Sequence, residues 1–355
     1  MMKKIKYSLL PLAFSFVLWL FSGCGDEPVS PPSVWTGNIF IINEGPFTSG
    51  TGTIMAYNRT TGQMSGDLFE PVNGRPIGNI VQSIGVYRNM VWIMVNNSNK
   101  VEVARYGDFS SVITIDSLPS PRYIAFKGDL AYVSSWNNKI FAIDTRSYKI
   151  VDEFPTGTGP DEMVITGDYL FAVNSGGLGT TNTISFINIK QKEVKGEITV
   201  GDRPCSITED KYGKLWVLCT GNGWNGWPNP ETDTPGKLVR IDPATREIIG
   251  EFPFSDPALH PDNLIINGER SVLYYAYPDG IYSVSVDNPV LAVEPLVPST
   301  VMYYGLGYDV AEDIIYAADP LDYAQNGIIY RYSAMDGLLI DFFTAGMVPN
   351  GFWFN

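Results

Sequence analysis

An all-β fold is predicted by three features of the sequence. Short runs rich in β-branched and aromatic residues alternate with Gly, Asn and Asp, these runs recur at a fixed period, and no long stretch carries the 3.6-residue apolar spacing of an amphipathic helix. One complete unit runs from Pro121 to Pro160 as four short runs: one before the Gly128-Asp129 turn, Leu130 to Ser134, and two more hinged at Asp144-Thr145. That is a four-stranded antiparallel meander. With Ile124 as a ruler, equivalent positions fall at Ile84, Ile124, Met163, Ile207, Leu264, Leu306 and Phe352, spaced 40, 39, 44, 57, 42 and 46 residues apart. Four strands at that period make a β-propeller blade, and seven marks make a seven-bladed β-propeller.

The first and last blades must be one. The final mark lies three residues from the C-terminus, so Pro349 to Asn355 supplies only an innermost strand, while Gly37 to Phe69 supplies three strands and lacks that one. Pairing the N- and C-terminal strands in one blade closes the ring and removes an open sheet edge. The second hairpin of five blades turns on Asp or Asn: Asn58, Asp144, Asn188, Asp242 and Asp287. Such residues tolerate turn geometry and bond their own backbone.

Before the ring, Lys3, Lys4 and Lys6 precede an apolar run from Leu9 to Phe21 and then Ser22-Gly23-Cys24. This is the layout of a secretory signal, and the Cys at the cut resembles a bacterial lipoprotein signal. Residues 1–23 are therefore expected to be a signal peptide, and 24–36 a lipidated Cys24 with a tether containing the extended stretch Pro28 to Ser33. The propeller occupies 37–355. Gly25-Asp26-Glu27 resembles the acidic tag that gut Bacteroidota place on lipoproteins sent to the outer face of the outer membrane, so the expected location is there, held by the lipid alone. Removing the signal leaves 21 basic and 38 acidic residues, a net of about −17. That balance disfavours nucleic acid and anionic lipid as partners.

Cys205 and Cys219 lie equidistant from Tyr212 and are expected opposite one another on adjacent strands, either as a strained cross-strand disulfide or as two buried thiols. With one His in the chain, no metal site is expected. There is no Gly-x-Ser-x-Gly elbow, phosphate loop or His cluster, and no pair of carboxylates is singled out by spacing. The expected activity is binding without catalysis, with no catalytic residue and no cofactor.

The start of each inner strand and the connection from its second to third strand open on one face of a propeller. The residues that lengthen blades beyond 40 are expected in that second-to-third connection, so function is assigned to that face. Its loops offer Asn beside aromatics. Blade five presents Trp224 and Trp227 in GNGWNGWPNPETDTPG, and inner-strand starts bring Arg122, Asp161, Cys205, Asp262, Tyr304 and Asn350 toward the axis. The expected ligand contacts are Phe47, Asn97, Arg122, Trp136, Asn137, Asp161, Asn174, Trp224, Trp227, Tyr277, Tyr304 and Tyr323. His260 is read as a loop residue rather than a catalyst.

Ala131 to Thr145, AYVSSWNNKIFAIDT, resembles the YVTN-type propeller repeat, and Gly201-Asp202-Arg203-Pro204 resembles its blade junction. With the lipoprotein start and acidic tag, the whole chain resembles the BtuG-type surface lipoproteins of gut Bacteroidota. That resemblance implies capture of cobalamin and related corrinoids, which are then handed to an outer-membrane TonB-dependent transporter. Cobalamin would be a bound ligand and not a catalytic cofactor. Aromatic loops can cover its corrin face, Asn and Asp can pair with its amides, and Arg122 can meet its phosphate. Two other readings stay open: a surface glycan binder or scaffold, with Trp136, Trp224 and Trp227 forming the platform, and an exported lactonase or lyase, which would gather acids around a metal in the channel.

Overall fold

The computed structural model describes Trp35 and residues 37–355, so the expected signal peptide, Cys24 and most of the tether lie outside the described residues. Seven four-stranded antiparallel sheets stand around one axis. Helix among the described residues is limited to short turns at Glu70–Asn73 and Asn96–Ser98, with Trp35 in a 3-10 turn.

The innermost strands are Val81–Tyr87, Pro121–Lys127, Pro160–Thr166, Pro204–Glu209, Asp262–Ile266, Gly305–Asp309 and Pro349–Phe354. Every ruler residue falls within one of them. Each lies against the next, and Pro349–Phe354 completes the circle against Val81–Tyr87. The closing blade is built as expected: Pro349–Phe354 pairs with Asn38–Asn43, in register Phe40↔Trp353 and Ile41↔Phe352.

Second strands such as Met90–Val95, Tyr169–Asn174 and Leu215–Cys219 read as continuous apolar runs because blades cover them on both sides; all their residues but Met90 and Tyr169 are buried. The core therefore lies between blades. Phe40 and Ile42 of blade one pack with Val91, Ile93 and Phe109 of blade two, and the pattern repeats around the wheel. Where inner strands come closest a side chain is excluded: a Cβ on Gly307 would stand 2.7 Å from the ring of Phe352.

Four of the five Asx turns form. Asn58, Asp144, Asn188 and Asp242 accept backbone N–H bonds from residues two or three ahead, at 2.7–3.1 Å. Asp287 instead accepts from Lys211 Nζ and Tyr212 Oη, both at 2.7 Å, tying blade six to blade five.

Two expectations need correction. The insertions at 44–52, 175–182, 220–236 and 320–325 do share one face, but blade six carries its extra residues between Ser285 and Val297, on the other face. Pro289 and Pro295 fall in that segment; proline has no N–H to give a ladder, and the outer strand shrinks to Val297–Pro298. The two cysteines are also offset. Pro204, not Cys205, stands opposite Cys219, because the inner strand bulges there, and both thiols are free.

Candidate functional site: the axial mouth and its loops

Six of the seven inner strands begin with a register shift against their neighbour. A bulge of this kind leaves one residue unpaired and re-aims its side chain. The residue two places before each ruler mark stands at this start: Gln82, Arg122, Asp161, Cys205, Asp262, Tyr304 and Asn350, with Tyr304 just ahead of the one strand, Gly305–Asp309, that has no such shift. The expected strand starts are thus brought together, and Gln82 joins them.

Five of these residues, Gln82, Arg122, Asp161, Tyr304 and Asn350, form with Glu44 and Trp136 a connected network over five blades. Arg122 Nε donates to Asp161 Oδ1 at 2.6 Å, and Arg122 Nη1 donates to Gln82. Trp136 lies beneath, its ring centre 4.0 Å from the guanidinium and its Nε1–H donating to Asp161 Oδ1 at 3.2 Å. Asn350 Nδ2 donates to Gln82 O at 2.9 Å and to Glu44 Oε1 at 3.1 Å. Tyr304 Oη donates to the same carboxylate at 3.2 Å and meets Tyr323 edge to face. Burial pushes the Glu44 carboxyl above its usual range, with the Arg122 charge and the bonds from Tyr304 and Asn350 opposing that rise.

Below the mouth, burial pushes Glu162 up to about 8, helped by the charges of Asp161 and Asp262 and opposed by the Ile207 N–H that its Oε2 accepts at 3.1 Å. Burial likewise raises the Cys205 thiol. Among the described residues, no three His, Cys, Asp or Glu gather so as to hold a metal ion.

Aromatic side chains rise around this mouth on the same face. Phe47 is 76 % exposed, Trp224 63 % and Trp227 80 %, with Tyr323 partly exposed. Arg203 stacks on Trp224 at 4.4 Å and donates to Gly223 O at 2.9 Å, fixing the loop's root. Asn97 and Asn137 are exposed, Asn97 donating to Asn79 at 2.8 Å. Asn174 and Tyr277 are placed differently. Asn174 is fully buried and gives its amide to Thr183 and Ser185 at 2.9 and 3.0 Å. Tyr277 stacks on Phe254 at 5.3 Å in the interface of blades five and six.

Sequence reasoning passed over Glu44 and Gln82. Gln82 was findable, since it stands two residues before Ile84 as Arg122 stands before Ile124. Glu44 leaves no such signal: its role depends on a loop folding inward over the ring closure.

The chain is similar in fold to many solved propellers. One, described as a putative 6-phosphogluconolactonase from Bacteroides fragilis, is 14% identical with TM-score 0.63, covering 91% of this chain and 99% of that one. A protein from Lactobacillus plantarum is 11% identical with TM-score 0.66, covering 89% and 98%. Hydrazine synthase of Kuenenia stuttgartiensis is 14% identical with TM-score 0.58, covering 74% and 84%. At these identities the likeness is one of fold alone. No curated protein sequence matches. Residues 37–354, the whole ring, match the model of a family described as a domain of unknown function (DUF5074), and the chain belongs to that family.

Proposed function

We propose that this propeller captures a corrinoid such as cobalamin on its long-loop face and passes it to an outer-membrane TonB-dependent transporter while anchored by lipid on Cys24. The observation that carries the reading is the joining, on one face, of a preorganised polar mouth with a rim of exposed aromatics. The mouth runs from Asp161 through Arg122, Gln82 and Asn350 to Glu44 and Tyr304, and Phe47, Trp224, Trp227 and Tyr323 rise around it.

A corrinoid has a wide, flat, weakly polar ring fringed by amides. Exposed aromatic faces suit the first, and alternating donors and acceptors suit the second. Arg122 is already paired with Asp161, so it would meet a ligand phosphate as part of that pair and not as a free cation. The mouth is preorganised by internal bonds, which lowers the ordering cost of binding. The role is binding, with no residue assigned to catalysis.

Titration calorimetry of the chain from residue 25 onward with cyanocobalamin tests this. One-to-one binding at micromolar concentration or tighter is expected. Absence of heat and of co-elution on gel filtration at micromolar concentrations would remove the proposal.

A further inference from the structure

The cations of the long-loop face are nearly all spent on acids. Arg75, Lys100, Arg122, Lys139 and Lys237 each hold a carboxylate at 2.6–3.3 Å. Among the described residues, Arg203 is the one cation of that face without such a partner. The carboxylate next to it in the chain, Asp202, is committed to the loop root, where its Oδ2 accepts from the Thr234 hydroxyl at 2.7 Å.

Arg203 is nonetheless held in place. It takes φ +51°, a left-handed backbone uncommon for a residue with a side chain. Its N–H donates to Thr181 O at 2.7 Å and its C=O accepts from the Thr220 N–H at 2.9 Å, so the loops of blades four and five clamp it from both sides. The guanidinium lies on Trp224 at 4.4 Å and spends only Nη1, on Gly223 O. Nε and Nη2 have no partner in the protein and are not buried. These two nitrogens form the edge with which Arg59 and Arg331 each grip both oxygens of a carboxylate, Asp309 and Asp341. On Arg203 the same fork is fixed and open, the geometry that takes two oxygens of a phosphate side by side.

We infer that Arg203 is the phosphate contact of this face: its Nε–Nη2 edge receives two oxygens of a ligand phosphate, while a flat ring of the same ligand packs on the exposed indole of Trp224 or Trp227. Both indoles line a recess of about 490 Å³ at the blade-five loop, which gives such a ring room. Arg122 can offer a phosphate only half of an ion pair, so the fuller contact falls to Arg203. The ligand's name rests on the corrinoid reading, since the nucleotide loop of cobalamin carries a phosphate and an aromatic base; a nucleoside monophosphate carries the same two groups.

Titration calorimetry of the chain from residue 25 onward compares three probes. They are cyanocobalamin; dicyanocobinamide, which lacks the nucleotide loop and its phosphate and is likewise electroneutral; and adenosine monophosphate. Cyanocobalamin should bind tenfold or more tighter than dicyanocobinamide, and Arg203→Gln should remove that preference while leaving dicyanocobinamide within about twofold. Arg203→Lys, which keeps the charge and loses the fork, should recover only part of it. Equal affinity for the two corrinoids, or a preference that survives Arg203→Gln, would overturn the phosphate contact and leave axial capture intact. If Arg203→Gln weakened both corrinoids by the same factor, the side chain would only pin the loop, which overturns the contact too. Silence of both corrinoids, with binding of adenosine monophosphate that Arg203→Gln abolishes, would keep the contact and remove the corrinoid. Silence of all three probes would overturn both.

Discussion

Replacing Arg122 and Asp161 singly and together probes whether the mouth is a preorganised unit. The two side chains are largely buried, at 14% and 9% exposure, and joined at 2.6 Å. A hydrogen bond to a charged group contributes about 1.5–3 kcal/mol, and stripping the partner from a buried charge costs about 3–5 kcal/mol. Both side chains keep some exposure to solvent, which lowers both figures. Arg122→Met should therefore destabilise by about 3 kcal/mol, since it orphans Asp161, frees Gln82 and removes the stack on Trp136. Asp161→Asn should cost less, about 1–2 kcal/mol, because an amide oxygen can still accept from Arg122 and Trp136. The double variant should fall short of the sum by about 2 kcal/mol, the coupling expected of residues in one network. Urea unfolding followed by tryptophan fluorescence measures all three. A coupling below about 0.5 kcal/mol would mean that solvent already screens the pair, and the case for a preorganised mouth would fail.

Other consequences follow from single contacts. Trp353 lies on the closing strand, stacked on Phe40 at 5.2 Å and set edge-on to Tyr106 at 5.6 Å, so Trp353→Ala should cost about 2–3 kcal/mol and lower the thermal midpoint; no change would contradict closure by that strand. Glu162 binds its proton more tightly folded than unfolded, so its contribution is complete below about pH 4.5 and is lost as pH rises toward about 8. Because Glu162 is only partly buried, that loss should be about 1–2 kcal/mol, and Glu162→Gln should flatten the urea midpoint across this window; an unchanged slope would assign the dependence elsewhere. Cys219 is fully buried and its thiol is pushed far up by burial, so a thiol reagent should label it only after unfolding, and labelling in native buffer would refute the placement. Trp224→Ala with Trp227→Ala should weaken cyanocobalamin capture while leaving the thermal midpoint within a degree or so, since neither indole belongs to a core cluster.

The ring was legible because its period is written in the chain: the apolar residues at Ile84, Ile124, Met163 and their counterparts all lie on inner strands. Closure was legible too, since three strands at one end and one at the other leave a single solution. What escaped were features set by local irregularity. The bulge at Cys205 shifts its partner by one place, and prolines push blade six's extra residues to the other face. Side-chain destinations were least readable: Asn174 and Asn97 look alike in sequence, yet one is sealed between Thr183 and Ser185 and the other reaches solvent. His260 was read as a loop residue, and it is one; that its Nε2 ends beneath Gly223 depends on a contact across 37 residues that no local pattern encodes.

Hydrogen exchange with and without cyanocobalamin tests the central claim most directly, because it asks where on the wheel the ligand sits. Protection confined to the loops at 44–52, 96–99, 136–138, 220–236 and 320–325, together with the inner-strand starts, is the predicted result. Protection on the turns of the opposite face, or none anywhere under conditions where the ligand is in excess, would contradict it.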